Sequence, residues 1–206
     1  MKELIKKILK EEIEKNDLIV PRRLEDRSER YKRIAYKWIQ DYIKNGSKGD
    51  LNLNNSPIES LPSNLKTVGG SLILGDSKIL ELPSGLKVGG DLQISYTQIS
   101  SLPSDLKVGG SLDLRKTLIK NLPSGLIITN SLDLDSTKIL ELPDDLTVGS
   151  ILDIRNTEIS EIPDRLRIGA KLIIYNTPLC RKYTERQIKQ IIEDKGGHIK
   201  GKIWCN

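Results

Sequence analysis

The amino-acid sequence predicts an α/β solenoid, a right-handed stack of similar turns that places about seven short parallel strands side by side. The first observation is a repeat: the segment starting at Leu72 recurs at Leu92, Leu112, Leu132 and Leu152 without a gap, so the unit is 20 residues long. The second is that leucines alternate with polar residues at the start of each unit, while prolines and glycines recur at fixed positions. Because one unit cannot bury its apolar face alone, the copies must stack.

The unit reads L-x-L-x-x-T-x-I-x-x-L-P-x-x-L-x-V-G-G-x, and each part predicts a local structure. The L-x-L step is a strand whose leucines face the core, and the x-x-T step is a tight turn. We expect the threonine hydroxyls to stack and to bond backbone amides of neighbouring turns. The Leu-Pro pair favours an extended convex side, and Val-Gly-Gly supplies permissive dihedrals for the return to the next strand. This pattern is that of a leucine-rich repeat.

Three regions are predicted, and we expect them to form one continuous structural unit. Residues 1–49 form an N-terminal helical cap, residues 50–179 form the leucine-rich repeats, and residues 180–206 form a C-terminal cap. Caps are expected because the first and last turns of a solenoid would otherwise expose the core.

Sequence signals place elements in both caps. An apolar stripe over residues 4–13 predicts one helix, and a second helix begins near Asp26. In the C-terminal cap, Thr184 and Gln187 match a capping box that begins a helix, and residues 199–204 can add a last strand.

Composition excludes several classes of enzyme. The 206 residues include one His, two Cys and no Phe. The single histidine, His198, leaves no pair for a zinc site or a catalytic triad, and the two cysteines form no metal-binding cluster. We therefore predict a non-enzymatic protein with no metal and no cofactor.

The N-terminal residues and the two cysteines, Cys180 and Cys205, indicate the cellular compartment of the protein. The first residues interleave charged and apolar side chains, unlike a signal peptide, and the sequence has no run of about eighteen apolar residues that could cross a membrane. We therefore expect a cytoplasmic protein with no membrane contact. A reducing compartment favours free buried thiols, although the cysteines could pair if they meet in space.

Charge is divided between the regions. Residues 1–49 carry 14 basic and 9 acidic side chains, residues 50–179 carry 12 and 16, and residues 180–206 carry 7 and 3. The basic ends permit a less favoured alternative, in which the N-terminal cap contacts the phosphates of a nucleic acid. The arginines that would form this basic surface are Arg22, Arg23, Arg27, Arg30 and Arg33.

The favoured candidate site is the strand face, defined as the outward-facing side of the strands that begin each repeat and expected to be concave. A rigid parallel sheet holds its outward side chains in columns, and Tyr and Arg often dominate the binding energy of protein interfaces. The candidate partner-binding residues are Gln93, Ser95, Tyr96, Asp113, Arg115, Asp133, Asp135, Asp153, Arg155 and Tyr175. The arginines are expected to offset repulsion between neighbouring aspartates, so a solvated, self-neutralised surface is the other interpretation.

Four apolar residues interrupt otherwise polar positions of the repeats. They are Leu80, Leu118, Ile127 and Leu140. They predict either a second contact patch on the rim or back, or local repacking.

The repeat and the C-terminal cap together indicate a family. The 20-residue unit with its Leu-Pro pair resembles the short bacterial class of leucine-rich repeats, which also occurs in type III secreted effectors. Residues 50–206 further resemble uncharacterised leucine-rich repeat proteins of tailed phages and bacteria, through V-G-G-x-L-x-L, Asn176-Thr177-Pro178-Leu179 and Lys195-Gly196-Gly197-His198. The resemblance brings no known activity, and if the chain is phage-encoded, as the resemblance suggests, a host factor is the expected partner. Effectors of this class that are ubiquitin ligases carry a large catalytic domain after the repeats, and the C-terminal cap is too short to be one.

Overall fold

A computed structural model of the chain describes residues 27–205. The chain divides into two compact units, Met1–Arg30 and Tyr31–Asn206, and of the first unit only the last four residues are described. The helix predicted over residues 4–13, the capping residue Asp26, and the arginines Arg22 and Arg23 lie outside the described residues.

The repeats build one long parallel sheet, which we call the inner row. It contains eight strands, one more than the approximate count from the sequence, because the C-terminal cap contributes the last strand. In order across the sheet, the strands are β1 (Leu51–Asn52), β3 (Leu72–Ile73), β5 (Leu92–Gln93), β7 (Leu112–Asp113), β9 (Leu132–Asp133), β11 (Ile151–Asp153), β13 (Lys171–Ile173) and β15 (Ile203–Trp204).

A second set of short parallel strands, which we call the outer row, follows the Leu-Pro segments. The strands are β2 (Thr67–Val68), β4 (Lys87–Val88), β6 (Lys107–Val108), β8 (Ile127–Ile128), β10 (Thr147–Val148), β12 (Arg167–Ile168) and β14 (His198–Ile199). They form two separate sheets, one of three strands and one of four, and the break lies between β6 and β8. The sequence predicted an extended segment here but not a row of paired strands.

Three helices are described, and they lie at the two ends of the repeats. They are α1 (Arg27–Lys44), α2 (Pro178–Lys182) and α3 (Glu185–Asp194). Helix α3 begins with the predicted capping box, in which the Thr184 hydroxyl accepts from the Gln187 amide and the Gln187 side chain accepts from the Thr184 amide. Helix α2 was not predicted; Thr177 caps it and Pro178 occupies its first turn.

The leucine and isoleucine positions of the consensus form a continuous core between the two rows. The strand leucines Leu72, Leu92, Leu112 and Leu132 are fully buried, as period-two alternation predicts. Within the second unit, helix α1 closes the first repeat with the buried Ile39.

Tyrosine hydroxyls join α1 to the chain that follows it. The Tyr42 hydroxyl lies 2.8 Å from both the Ser47 and the Gly49 carbonyl oxygens and shares its one proton between them, and the Tyr36 hydroxyl donates to the Ser60 carbonyl at 3.1 Å. These bonds fix the entry into the first strand of the inner row.

The threonine of each repeat does not act as expected. Its hydroxyl donates to the carbonyl three residues earlier in the same repeat, as Thr97 does to Ile94 at 2.7 Å and Thr157 to Ile154 at 2.6 Å. The expectation of bonds to neighbouring amides was wrong, because the tight turn brings a carbonyl of the same repeat within reach.

Positive φ values recur at that turn and are absent from the Gly-Gly pairs of the repeats. The residue before the Thr or Ser of each repeat has a positive φ close to 57°, and these residues are Asn55, Asp76, Tyr96, Lys116, Ser136, Asn156 and Asn176. The Gly-Gly pairs have no positive φ, so the prediction that they supply permissive dihedrals was wrong. A Cβ at Gly89 would overlap the Gly69 carbonyl, and a Cβ at Gly149 would overlap the Thr129 carbonyl. Glycine is therefore required because neighbouring turns approach closely.

The two cysteines are joined. Cys180 in α2 and Cys205 after β15 form a disulfide, with Cα atoms 5.5 Å apart. The expectation of free thiols was wrong, because the return of the chain at the C-terminal cap brings the two positions together although 25 residues separate them.

Candidate functional site

The strand face is organised by the register of the inner row. Strand pairing aligns Gln93 with Asp113, Asp113 with Asp133, and Asp133 with Asp153, so these side chains form one column. The same register continues through Ile173 to Trp204. Sequence period and pairing therefore agree on which residues are neighbours.

Each aspartate of this column also holds the turn that follows its strand. The Oδ1 atoms of Asp113, Asp133 and Asp153 accept the amide of the residue two positions later, at 3.1, 3.0 and 3.1 Å. This is the local hydrogen bond that Asp and Asn side chains make in turns. Oδ1 therefore has a structural role, and Oδ2 is the atom left to face outward.

The two arginines of the face lie among these carboxylates. Arg115 binds Asp113 through two bonds, Nε to Oδ1 at 2.9 Å and Nη2 to Oδ2 at 2.7 Å, and its Nε lies 3.4 Å from Asp133 Oδ2. Arg155 Nε lies 3.2 Å from Asp153 Oδ2 and 3.4 Å from Asp135 Oδ2. The arginines are thus close enough to offset the repulsion.

The compensation of charge is incomplete. Four carboxylates, Asp113, Asp133, Asp135 and Asp153, share two guanidinium groups. Burial raises the pKa of Asp153 to about 6, and burial together with the Asp113 charge raises the pKa of Asp133. The centre of the face is therefore net acidic at neutral pH.

Aromatic side chains flank this acidic centre. Tyr96 is 50% exposed, and the Lys116 ammonium lies 4.9 Å from its ring centre. The Tyr175 hydroxyl accepts from Arg155 Nη1 at 2.5 Å. Trp204 is 44% exposed. Sequence reasoning missed Trp204 as a site residue, although alternation in the predicted last strand, with an apolar residue before it, was a usable signal.

The remaining candidates differ in accessibility. Gln93 is partly exposed at the start of the column. Ser95 is buried, at 8% exposure, and therefore offers little surface to a partner. The N-terminal part of the face carries amide side chains at Asn52, Asn54 and Gln93 and one exposed carboxylate, Asp76.

A second ladder of side chains joins the repeats beside the strand face, and the sequence analysis did not find it. Asp50 Oδ1 accepts the Ser71 amide at 2.7 Å, Ser71 Oγ accepts the Asp91 amide at 3.1 Å, and Asp91 Oδ1 accepts the Ser111 amide at 2.7 Å. The signal was the recurrence of Asp or Ser at the last position of the unit. This ladder supplies the links between turns that we expected from the threonines.

The alternative basic surface is only partly described. Arg27, Arg30 and Arg33 lie in α1 at intervals of three residues, which brings them near one side of the helix.

The four interrupting apolar residues are all exposed. Their exposed fractions are 48% for Leu80, 46% for Leu118, 65% for Ile127 and 63% for Leu140. Ile127 lies in β8, at the break in the outer row.

Within residues 27–205, His, Cys, Asp and Glu side chains form no group of three that could hold a metal ion. None of the helices described has both the length and the apolar character needed to cross a membrane.

Comparison with known proteins addresses the fold. The solved structure of a Shigella effector LRR domain is similar to this chain, with a TM-score of 0.51 and 17% sequence identity over 85% of this chain and 89% of that one. The chain has a leucine-rich repeat fold. No protein-family model and no curated protein matches it. At this identity the similarity establishes the architecture, and function must be argued from the strand face.

Proposed function

We propose that the protein is a non-enzymatic recognition module that binds a partner protein through the strand face. The observation that carries the proposal is the ordered Asp and Arg network at the centre of that face, edged by the exposed Tyr96 and Trp204. Side chains fixed by ion pairs lose little conformational entropy on binding, and Tyr, Trp and Arg are enriched among residues that dominate interface energies. If the chain is phage-encoded, the partner is a host protein.

Capture of a partner from lysate of the native cell tests this proposal. The tagged chain is compared with Asp133→Ala/Arg155→Ala, which alters the strand face, and with Lys87→Ala/Arg167→Ala, which alters exposed residues of the outer row. Circular dichroism establishes that both variants are folded. We expect the wild type and the outer-row variant to retain one protein after nuclease treatment, and the strand-face variant to lose it.

The opposite results overturn the proposal. Retention by the strand-face variant would place binding elsewhere. Loss of retention on nuclease treatment would move function to the basic ends, where Arg30→Ala/Arg33→Ala would then reduce binding in a strongly salt-dependent way.

Location in the cytoplasm stays a prediction. Disulfides persist mainly in oxidising environments, so the Cys180–Cys205 bond argues against a location in the reducing cytoplasm. Alkylation of free thiols in intact cells, followed by mass spectrometry, would show whether the pair is oxidised where the protein acts.

A further inference from the structure

Charge is unevenly distributed along the strand face. The earlier repeats carry amides and the exposed carboxylate of Asp76, whereas the repeats from β7 to β11 carry four carboxylates and two guanidinium groups in the strands and in the turns that follow them. The largest cluster of carboxylates is therefore in the middle of the sheet, where Asp133 side-chain exposure is 27% and Asp135 side-chain exposure is 16%. A partner must therefore meet partly desolvated carboxylates there.

In the described part of the chain, Asp153 and Asp133 each accept one hydrogen bond, fewer than the other two carboxylates, and Asp133 is the more exposed of this pair, at 27% of its side chain against 7%. Its Oδ1 accepts the Asp135 amide, but its Oδ2 has only Arg115 Nε at 3.4 Å, and that Nε already donates to Asp113 at 2.9 Å. By contrast, Asp135 Oδ1 accepts from Ser136 at 2.8 Å and from Asn156 at 2.7 Å. Among the described residues no donor makes a hydrogen bond to Asp133 Oδ2, so an incoming cation has an acceptor to bind.

An apolar surface lies beside the acidic centre in the same column. Asp153 is followed by Ile173 and then by Trp204, each on the next strand. Two strand spacings of about 4.8 Å place the Trp204 position about 10 Å from Asp153. The Trp204 ring is 44% exposed, and the Lys171 ammonium lies 3.5 Å from its centre.

We propose that the strand face takes a basic segment of its partner, one that brings an arginine or lysine to Asp133 and an apolar side chain to Ile173 and Trp204. The inference rests on the proposed function and specifies the chemistry of the partner. Arginine fits best, because its guanidinium donates several hydrogen bonds in a plane and can bridge Asp133 and Asp153.

Selection from a random 12-residue peptide library on the immobilised full chain tests the inference. We expect the retained peptides to be enriched in Arg or Lys together with an aromatic or aliphatic residue. Binding of the best peptide should weaken about tenfold or more in Asp133→Asn, because a charge-assisted hydrogen bond is lost. Asn keeps the Oδ1 acceptor for the turn. Asp76→Asn, an exposed carboxylate of an earlier repeat, is the matched control and should bind unchanged.

Two further measurements keep the test independent of the folding of one variant. Trp204→Ala should weaken the same peptide, since it removes the apolar contact. Affinity of the wild type should fall as salt rises from about 0.05 to 0.5 M, because screening weakens exposed ion pairs.

The failures of the two proposals are distinguishable. Peptides that lose binding in Asp133→Ala/Arg155→Ala but show no excess of basic residues would overturn the basic segment and leave protein recognition by this face in place. Peptides that bind equally to every strand-face variant would overturn both. If the chain self-associates and Asp133→Asn abolishes that association, the basic ends of a second copy bind the acidic centre. This result would overturn the proposal of a basic segment on a separate partner.

Discussion

The inner and outer rows are built from the same repeats, yet they differ in continuity and chemistry. The inner row is one sheet of eight strands, and its outward side chains change from repeat to repeat. The outer row is split into three and four strands, and its turns are held close by glycines. The difference shows that close packing fixes the outer row, whereas the outward positions of the inner row are free to acquire function.

Removing a core side chain of the inner row should have the largest effect. Leu132→Ala, at a fully buried position of β9, is expected to lower the free energy of unfolding by about 4 kcal/mol, because it leaves a cavity. Leu140→Ala in the same repeat, at a position 63% exposed, should change it by less than about 0.5 kcal/mol. Urea unfolding followed by circular dichroism measures both, and equal losses would contradict the burial of the leucine column.

Loss of the disulfide should come next, because the C-terminal cap supplies the last strand of both rows. Closing a loop of this length is expected to contribute about 3 kcal/mol. Cys180→Ser/Cys205→Ser, or reduction of the wild type, should therefore lower the free energy of unfolding by a similar amount, which urea unfolding measures as a lower midpoint. A midpoint unchanged by reducing agent would show that the two cysteines are not bonded in the protein.

A methyl group in the outer row should have a smaller but clear effect. Gly149→Ala places a Cβ against the Thr129 carbonyl and is expected to cost about 2 kcal/mol, because the turns must separate. The control is Gly125→Ala, where φ is +69° and no atom lies within 4 Å of the added Cβ, with a cost of about 1 kcal/mol from φ alone. If Gly125→Ala is the more damaging, dihedral freedom rather than close approach explains the glycines.

A pH dependence of stability is also predicted for the inner row, where Asp153 is buried. Burial raises the pKa of Asp153 to about 6, above its ordinary value near 4. Between about pH 4 and pH 6 the folded chain keeps a proton that the unfolded chain has lost, so the stability contributed by Asp153 falls as pH rises through this range.

Urea midpoints measured from pH 4 to pH 7 test that pH dependence. Asp153→Asn should flatten the slope, and Asp76→Asn should leave it unchanged. A slope that survives in Asp153→Asn would assign it to other groups.

Much of the architecture could be predicted from the sequence because the leucine positions leave few alternatives. Leu72, Leu92 and Leu112 define a register, and register alone places Asp113, Asp133 and Asp153 side by side. The Arg115–Asp113 contact does not depend on register, because the two residues lie two positions apart in one repeat.

The other features of the fold and of the candidate site depend on three-dimensional distances, which the spacing of residues in the sequence does not give. Cys180 and Cys205 meet only because the C-terminal cap turns back. The choice of a carbonyl over an amide by the Thr97 hydroxyl depends on the geometry of the turn. Asp133 Oδ2 has no hydrogen bond from the described residues because Arg115 makes its two guanidinium bonds to Asp113, and the spacing of the residues does not show which of the two carboxylates the arginine binds.

The break between β6 and β8 has a consequence for how the protein unfolds. In a solenoid each turn contacts mainly its neighbours, so stability is a sum of local terms along the stack. Where Ile127-Ile128-Thr129-Asn130 replaces the usual Lys-Val-Gly-Gly, the strand pairing of the outer row is interrupted. Outside the inner row, the described backbone bonds between these two turns run from the Leu118 amide to the Ile99 carbonyl at 3.0 Å and from the Asn130 amide to the Gly110 carbonyl at 3.4 Å. This junction is the place where the stack is expected to divide into two cooperative blocks, whose amide protons would exchange with solvent at different rates.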